Sequence, residues 1–186
     1  GRYVVATEGG AHHDADAVVL TCPAYASARA LRSLSPGAAA ILDEMRYAST
    51  ATVFLAFKRE HVDHPLDATG FIVPRVPRRP MLACTWVSSK WEHRAPAGRV
   101  LLRVFFGGAS GEDVLMREDR ELVQLAVSEL GVFLNLRGAP VMSRVFRFDR
   151  GSPQPAVGHL GRMRKIREHL APTPNVFVAG SGYDGV

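Results

Sequence analysis

The chain has 186 residues, 47% hydrophobic and 22% charged, and its 23 Lys and Arg against 18 Asp and Glu leave a formal net charge of +5. That composition excludes disordered, collagen-like and mucin-like classes, and the length suits one domain or two small lobes. The densest apolar runs, 51–57 and 100–106, fall well short of the ~20 residues of a bilayer-crossing helix, while the positive charge favours anionic partners such as carboxylates, phosphates or acidic lipid head groups.

Residues 3–7 and 17–22 are short β-prone runs separated by a Gly-Gly and acidic turn, and the second stops at Pro23, which cannot continue a ladder. Helix propensity is high over 24–34. After Ser35-Pro36, a cap followed by a first-turn proline, Ala38, Ile41, Leu42 and Met45 recur at helical spacing. Four β-type segments follow, 50–57, 70–74, 81–88 and 99–106, divided by Pro-, Gly- and charge-rich connections that predict hairpin or meander turns and an antiparallel sheet. Residues 118–130 place Leu122, Val123, Ala126, Val127 and Leu130 on one stripe, with Gly131 near the expected stop, so this helix should cover one face of that sheet. A strand over 141–148, a basic helix over 159–170 and a buried strand over 175–179 running into a Gly-rich turn complete the chain.

Runs of strands with helices gathered beside them indicate an α+β architecture, an antiparallel or mixed sheet with helices packed on one face. The end pieces, 1–35 and 151–186, have the pattern of a different and partial sheet, so two lobes are expected, with 36–150 forming the second. The chain opens inside a strand-like run without an initiator Met or a signal peptide and stops straight after another run, which reads as a piece of a longer protein. Cys22 and Cys84 each sit in an apolar stretch, suggesting neither a disulfide framework nor a cysteine metal site, and a reducing cytoplasm is the expected compartment.

Most polar clusters have ordinary explanations. His12-His13-Asp14-Ala15-Asp16 reads as a solvated turn, because adjacent residues diverge where a tetrahedral metal site needs convergence. Ser110, Ser128 and Ser152 lack a Gly-x-Ser-x-Gly elbow. Arg75, Arg78 and Arg79 are broken up by prolines, and Arg162, Arg164, Lys165 and Arg167 have no interleaved aromatics, so no nucleic-acid partner is expected. The Gly107-Gly108-Ala109-Ser110-Gly111 stretch lacks the Lys-Ser/Thr of a phosphate loop and runs into Glu112 and Asp113.

The last twelve residues, Asn175-Val176-Phe177-Val178-Ala179-Gly180-Ser181-Gly182-Tyr183-Asp184-Gly185-Val186, form a strand delivering a turn of small residues, where missing Cβ atoms let backbone approach a flat ligand. This segment resembles the late flavin-contacting segment of the flavin-containing amine oxidoreductase superfamily. Ala15-Asp16-Ala17-Val18-Val19-Leu20-Thr21-Cys22-Pro23 is similar to that superfamily's strand and proline turn beside the cofactor. Pro153-Gln154-Pro155-Ala156-Val157-Gly158-His159-Leu160 and Ala68-Thr69-Gly70-Phe71-Ile72-Val73-Pro74 are similar to segments of its protoporphyrinogen oxidases. Pro155 stands where that family usually has Tyr, and Phe148 where related enzymes often carry a Trp near the flavin.

The resemblance implies that 1–35 with 151–186 are the strand and helix remnants of an FAD-binding α/β domain, and that 36–150 form a substrate-binding domain. It implies FAD contacts at Cys22, Pro23, Phe148, Gly180, Tyr183, Gly185 and Val186, and a macrocycle pocket including Thr69, Ile72 and Phe105. The implied reaction is oxidation of protoporphyrinogen IX to protoporphyrin IX, with FAD taking hydride and molecular oxygen reoxidising the flavin. No catalytic residue is assigned, because a flavin carries the hydride chemistry itself. The Gly-x-Gly-x-x-Gly turn that anchors the pyrophosphate is not in these residues, so the chain alone is expected to be inactive and to purify without flavin. Peripheral membrane contact is expected only through residues outside the chain. An amine oxidase or carotenoid desaturase of the same superfamily is the enzymatic alternative, and a non-catalytic tetrapyrrole-binding domain the alternative from another class.

Overall fold

In the computed structural model, which describes residues 2–185, the chain builds two separate hydrophobic cores. The elements in order are β1 (Tyr3–Ala6), β2 (His12–Ala15), β3 (Val18–Leu20), α1 (Ala24–Leu31), α2 (Pro36–Asp43), β4 (Tyr47–Lys58), β5 (Gly70–Ile72), β6 (Met81–Trp86), α3 (Val87–Lys90), β7 (Arg99–Gly107), α4 (Asp119–Leu134), β8 (Met142–Pro153), α5 (His159–Leu170) and β9 (Val176–Val178). The architecture is α+β, as the run of elements predicted.

The first unit takes residues 2–47 and 153–185. Its core is small-residue helix packing: Ala24, Ala28 and Leu31 of α1 and Ala38, Ala39 and Leu42 of α2 meet Met163, Ile166 and Leu170 of α5. The basic residues of α5 occupy its remaining positions, so Arg162, Arg164, Lys165 and Arg167 mark the solvent side of an amphipathic helix. β3 and β9 pair in parallel, Val18 opposite Val176 and Leu20 opposite Val178. Two expectations are corrected here. Residues 12–15 are a strand, β2, paired antiparallel with β1 from Tyr3 opposite Ala15 to Ala6 opposite His12, because Gly9 and Gly10 close a hairpin ahead of them. Residues 36–47 belong with this unit and not with the sheet lobe, because the apolar stripe of α2 is buried against α1 and α5.

The second unit, Ala48–Ser152, carries a five-stranded sheet of order β5-β6-β7-β4-β8. Only β5, β6 and β7 form a meander. β4, the first of these strands in sequence, inserts between β7 and β8, pairing antiparallel with β7 over nine positions from Thr50 opposite Gly107 to Lys58 opposite Arg99. Strict alternation decides the faces: Ala51, Val53, Leu55 and Phe57 of β4 and Val100, Leu102, Val104 and Phe106 of β7 are all buried on one side. α4 covers that side with Leu122, Ala126, Leu130 and Leu134, one residue per turn, and each buried leucine contributes ~1.5–3 kcal/mol.

A capping box between Glu118 and Glu121 starts α4. The helix runs through Gly131 and ends one turn later at Asn135, whose φ of 47° supplies the left-handed cap expected of the glycine. Across the helix, Glu129 accepts two hydrogen bonds from Arg79, at 2.8 and 3.2 Å, so the carboxylate is buried only as a bidentate pair. Residues 87–88, expected to extend β6, instead begin the short α3. No helix among the described residues is long and apolar enough to cross a membrane.

Candidate functional site

In the first unit, parallel pairing of β3 and β9 brings their carboxyl ends side by side, the edge at which α/β sheets place ligands. Ala179 N–H donates to the Leu20 carbonyl at 3.0 Å, so the two chains leave the ladder together. One continues as Thr21-Cys22-Pro23 into α1, with Pro23 as its N-cap, and the other as the turn Gly180-Ser181-Gly182-Tyr183. The structure thereby gathers Cys22, Pro23, Gly180 and Tyr183, four of the residues expected to contact a flavin.

Tyr183 holds this arrangement. Its ring is buried in the core, and its hydroxyl lies 2.8 Å from Ser27 Oγ and donates to the Cys22 carbonyl at 3.1 Å. Burial raises its pKa, with the Ser27 hydrogen bond acting the other way, so the hydroxyl stays protonated as a donor. Tyr183 N–H closes the turn on Gly180 O at 3.0 Å, and the Tyr183 carbonyl is 2.7 Å from His159 Nε2 at the start of α5. The phenol is thus committed to the core, and the backbone N–H and carbonyl of Tyr183 to Gly180 and His159.

The glycines in the turn have separate causes. Gly180 has φ +125°, a conformation side chains rarely take, whereas a Cβ on Gly182 would lie 2.5 Å from Tyr47 Oη. The same Tyr47 hydroxyl accepts from Ala24 N–H at 2.9 Å, tying the turn to the first turn of α1. A turn of small residues beside two strand ends, with Gly180 and Ser181 exposed, is a surface that a flat ring with polar edges can approach closely, and the residues present fit a flavin on that ground. Gly185 follows with φ +88°; Val186 lies outside the described residues.

In the second unit the sheet face opposite α4 carries the other expected residues. Ile72 of β5 stands opposite Ala83, Ala83 opposite Phe105, and Phe105 opposite Thr52, so one row crosses four strands. A register shift between Met81 and Ala83 sets that row, placing Ala83 and not Leu82 opposite Phe105. The adjacent row is Gly70, Thr85, Arg103 and Phe54. Phe54 meets Phe146 of β8 edge to face at 5.8 Å, and Phe148 follows Phe146 at the next same-face position. Phe148 therefore belongs to the second unit, unlike the other expected cofactor contacts.

Ile72 is 84% exposed, Phe146 51% and Phe148 49%, and no described element of this unit packs over them. Thr69 precedes β5 and is exposed, its carbonyl accepting from Trp86 N–H at 2.9 Å, with Gly70 at φ +139° between it and Phe71. Sequence reasoning missed Phe54, Arg103 and Phe146. The signal was present in 99–106, where Leu101, Arg103 and Phe105 alternate with four residues that are all apolar.

The family model described as flavin containing amine oxidoreductase matches residues 1–186. A coproporphyrinogen III oxidase of Bacillus subtilis (strain 168) is 35% identical over 99% of this chain and 39% of its own length. A chloroplastic protoporphyrinogen oxidase of Oryza sativa subsp. japonica is 30% identical over 96% of this chain and 33% of its own. Among solved structures, one from Exiguobacterium sp. 255-15, of a protein assigned as a protoporphyrinogen oxidase, is 33% identical with a TM-score of 0.78, covering all of this chain and 40% of that one. The chain thus spans about two fifths of the length of the relatives it matches.

Proposed function

The chain belongs to the flavin containing amine oxidoreductase family, and on that premise we propose that it is part of an FAD-dependent oxidase acting on a porphyrinogen. The observation that carries the reading is the open sheet face of the second unit, where Ile72, Ala83, Phe105 and Phe54 form a wall with the Arg103 guanidinium among them. A bulky apolar macrocycle is matched by such a wall. The 35% identity to a coproporphyrinogen III oxidase, against 30% and 33% to two proteins named protoporphyrinogen oxidase, leans towards the tetracarboxylic porphyrinogen within one reaction class.

When bound, FAD supplies the hydride acceptor for removing six hydrogens from the macrocycle in three two-electron steps, and three molecules of oxygen carry the electrons away as peroxide. The chain's own contribution is binding and orientation. The backbone turn from Gly180 to Tyr183, with Cys22 and Pro23 beside it, would help to hold the flavin, and the Tyr183–Ser27 and Tyr183–Cys22 hydrogen bonds fix the turn itself. Ile72 and Phe105 hold the ring system by dispersion and exclude water from it. Neither task requires a side-chain acid or base.

The test is made on the full-length parent protein. It is expected to purify with flavin absorbance and, given coproporphyrinogen III under air, to develop porphyrin fluorescence with peroxide release above the rate of autoxidation. Oxidation of primary or secondary amines with no porphyrinogen turnover would replace this reading with an amine oxidase.

A further inference from the structure

Arg103 is the one charged side chain within the two rows of the open face, and it is held in an unusual state. Its guanidinium carbon lies 4.6 Å from the ring centre of Phe105 and 5.9 Å from that of Phe54. Its Nε is sealed from solvent and has no hydrogen-bond partner. Among the described residues no carboxylate pairs with it. Its cross-strand neighbours are Thr85 and Phe54, and neither row contains an Asp or Glu. Three arginines elsewhere in this unit are paired with carboxylates: Arg79 with Glu129, Arg147 with Asp119 and Arg137 with Asp63.

Two aromatic faces orient the guanidinium but cannot accept a hydrogen bond in its plane, so the sealed Nε–H remains unpaired. A buried donor without an acceptor is disfavoured unless a ligand supplies one. The acceptor that matches an Arg fork is a carboxylate, taken bidentately. Next to it in the same rows stand Ile72, Ala83 and Phe105, which offer apolar contact and no charge. The complementary ligand is therefore an apolar ring system bearing a carboxylate on a short arm. We propose that Arg103 is a carboxylate anchor for the macrocycle's propionate side chain, a claim that rests on the porphyrinogen reading. It also gives that reading a specificity determinant: a substrate with a propionate on every pyrrole presents one to Arg103 in any in-plane orientation, whereas vinyl groups leave the guanidinium unpaired.

The experiment uses the full-length, flavin-loaded parent and its R103M and R103K variants, with coproporphyrinogen III and its tetramethyl ester as substrates. R103M keeps the length and apolar contact of the side chain and removes the charge. Its KM for the free acid is expected to rise by about tenfold or more, the size of one lost charge-assisted contact, with kcat changed much less. R103K is expected to fall between, because an ammonium keeps the charge without the fork. The ester, which has no carboxylate, is expected to give the same KM in parent and R103M. The Kd of the product coproporphyrin, read from flavin or porphyrin fluorescence, should move with KM.

An unchanged KM for the free acid in R103M, or an equal rise for acid and ester, overturns the assignment while leaving the porphyrinogen reading in place. A loss of thermal stability in R103M with unchanged KM shows instead that Arg103 is paired by a carboxylate elsewhere in the parent, and also overturns it. A flavin-loaded parent that oxidises neither porphyrinogen removes the reading and the anchor together. If R103M does not fold, R103K decides on the same acid-against-ester comparison.

Discussion

Replacing Gly182 with alanine tests whether the glycine turn is held against α1 through Tyr47. The added Cβ would stand 2.5 Å from Tyr47 Oη, where ordinary contact begins near 3.4 Å, so the hydroxyl must retreat by about 0.9 Å, the difference of the two. That hydroxyl accepts from Ala24 N–H at 2.9 Å, and a retreat of this size breaks the bond. A neutral hydrogen bond contributes ~0.5–1.5 kcal/mol, and a buried N–H left without an acceptor costs ~1–3 kcal/mol, so a loss of about 2 kcal/mol is expected. For a chain of this length that is roughly 4–8 °C of melting temperature. The backbone is no obstacle, since Gly182, unlike Gly180, is not in the left-handed region.

The decisive assay is a double-mutant cycle by denaturant titration with Tyr47→Phe. Phenylalanine removes the obstructing oxygen, so Gly182→Ala should be nearly neutral in the Tyr47→Phe background, with a coupling energy of about 1–2 kcal/mol. Equal losses from Gly182→Ala in both backgrounds would refute the proposed link between the turn and α1.

Gly131→Ala should stabilise the chain by about 1 kcal/mol, because the residue lies inside α4 with open space around the added methyl, and denaturant midpoints would show it. Burial pushes the Cys84 thiol up to about 12 from an ordinary 9.0. Between those values the unfolded chain loses that proton while the folded chain keeps it, so this contribution to stability is intact below pH about 9.0 and falls as pH rises towards about 12. Cys84→Ala should flatten that part of the stability profile relative to the parent, and a thiol alkylated in the native state at pH 8 should be Cys22 alone. Ile72→Asp should leave folding and flavin content unchanged, since the side chain is 84% exposed, while porphyrinogen turnover in the full-length parent falls by at least about tenfold through burial of an unpaired carboxylate; equal turnover would remove Ile72 from the pocket.

Element types were legible wherever the hydrophobic period was long. α5 spans the same residues, His159–Leu170, that its pattern marks, and the alternation of β4 and β7 fixes both sheet faces. Strand order was not legible, because pairing partners are set by which apolar faces meet under α4, and nothing local in 50–57 marks β4 as the strand between β7 and β8. The β2 strand was hidden by its composition: His12, His13 and Asp14 are solvent-facing, and a two-stranded hairpin needs no apolar alternation to form its ladder. At the site, glycine and proline placement exposed the turn, whereas Arg103 was passed over because only cross-strand register shows that its acid partner is missing.

The open sheet face also bears on how the chain behaves in a test tube. Isoleucine and phenylalanine side chains left in water drive self-association, and a sheet adds a second route through its unpaired edge. The sheet has two edges: β8, twelve residues long, and β5, which is only three residues long and begins at Gly70, where φ is +139° and a Cβ would meet the Cys84 carbonyl at 2.1 Å. So short and bent an edge offers few backbone groups for another strand to copy. Association of the 186-residue chain should therefore proceed face to face, reversibly and with sensitivity to mild detergent, or along β8, and not through β5.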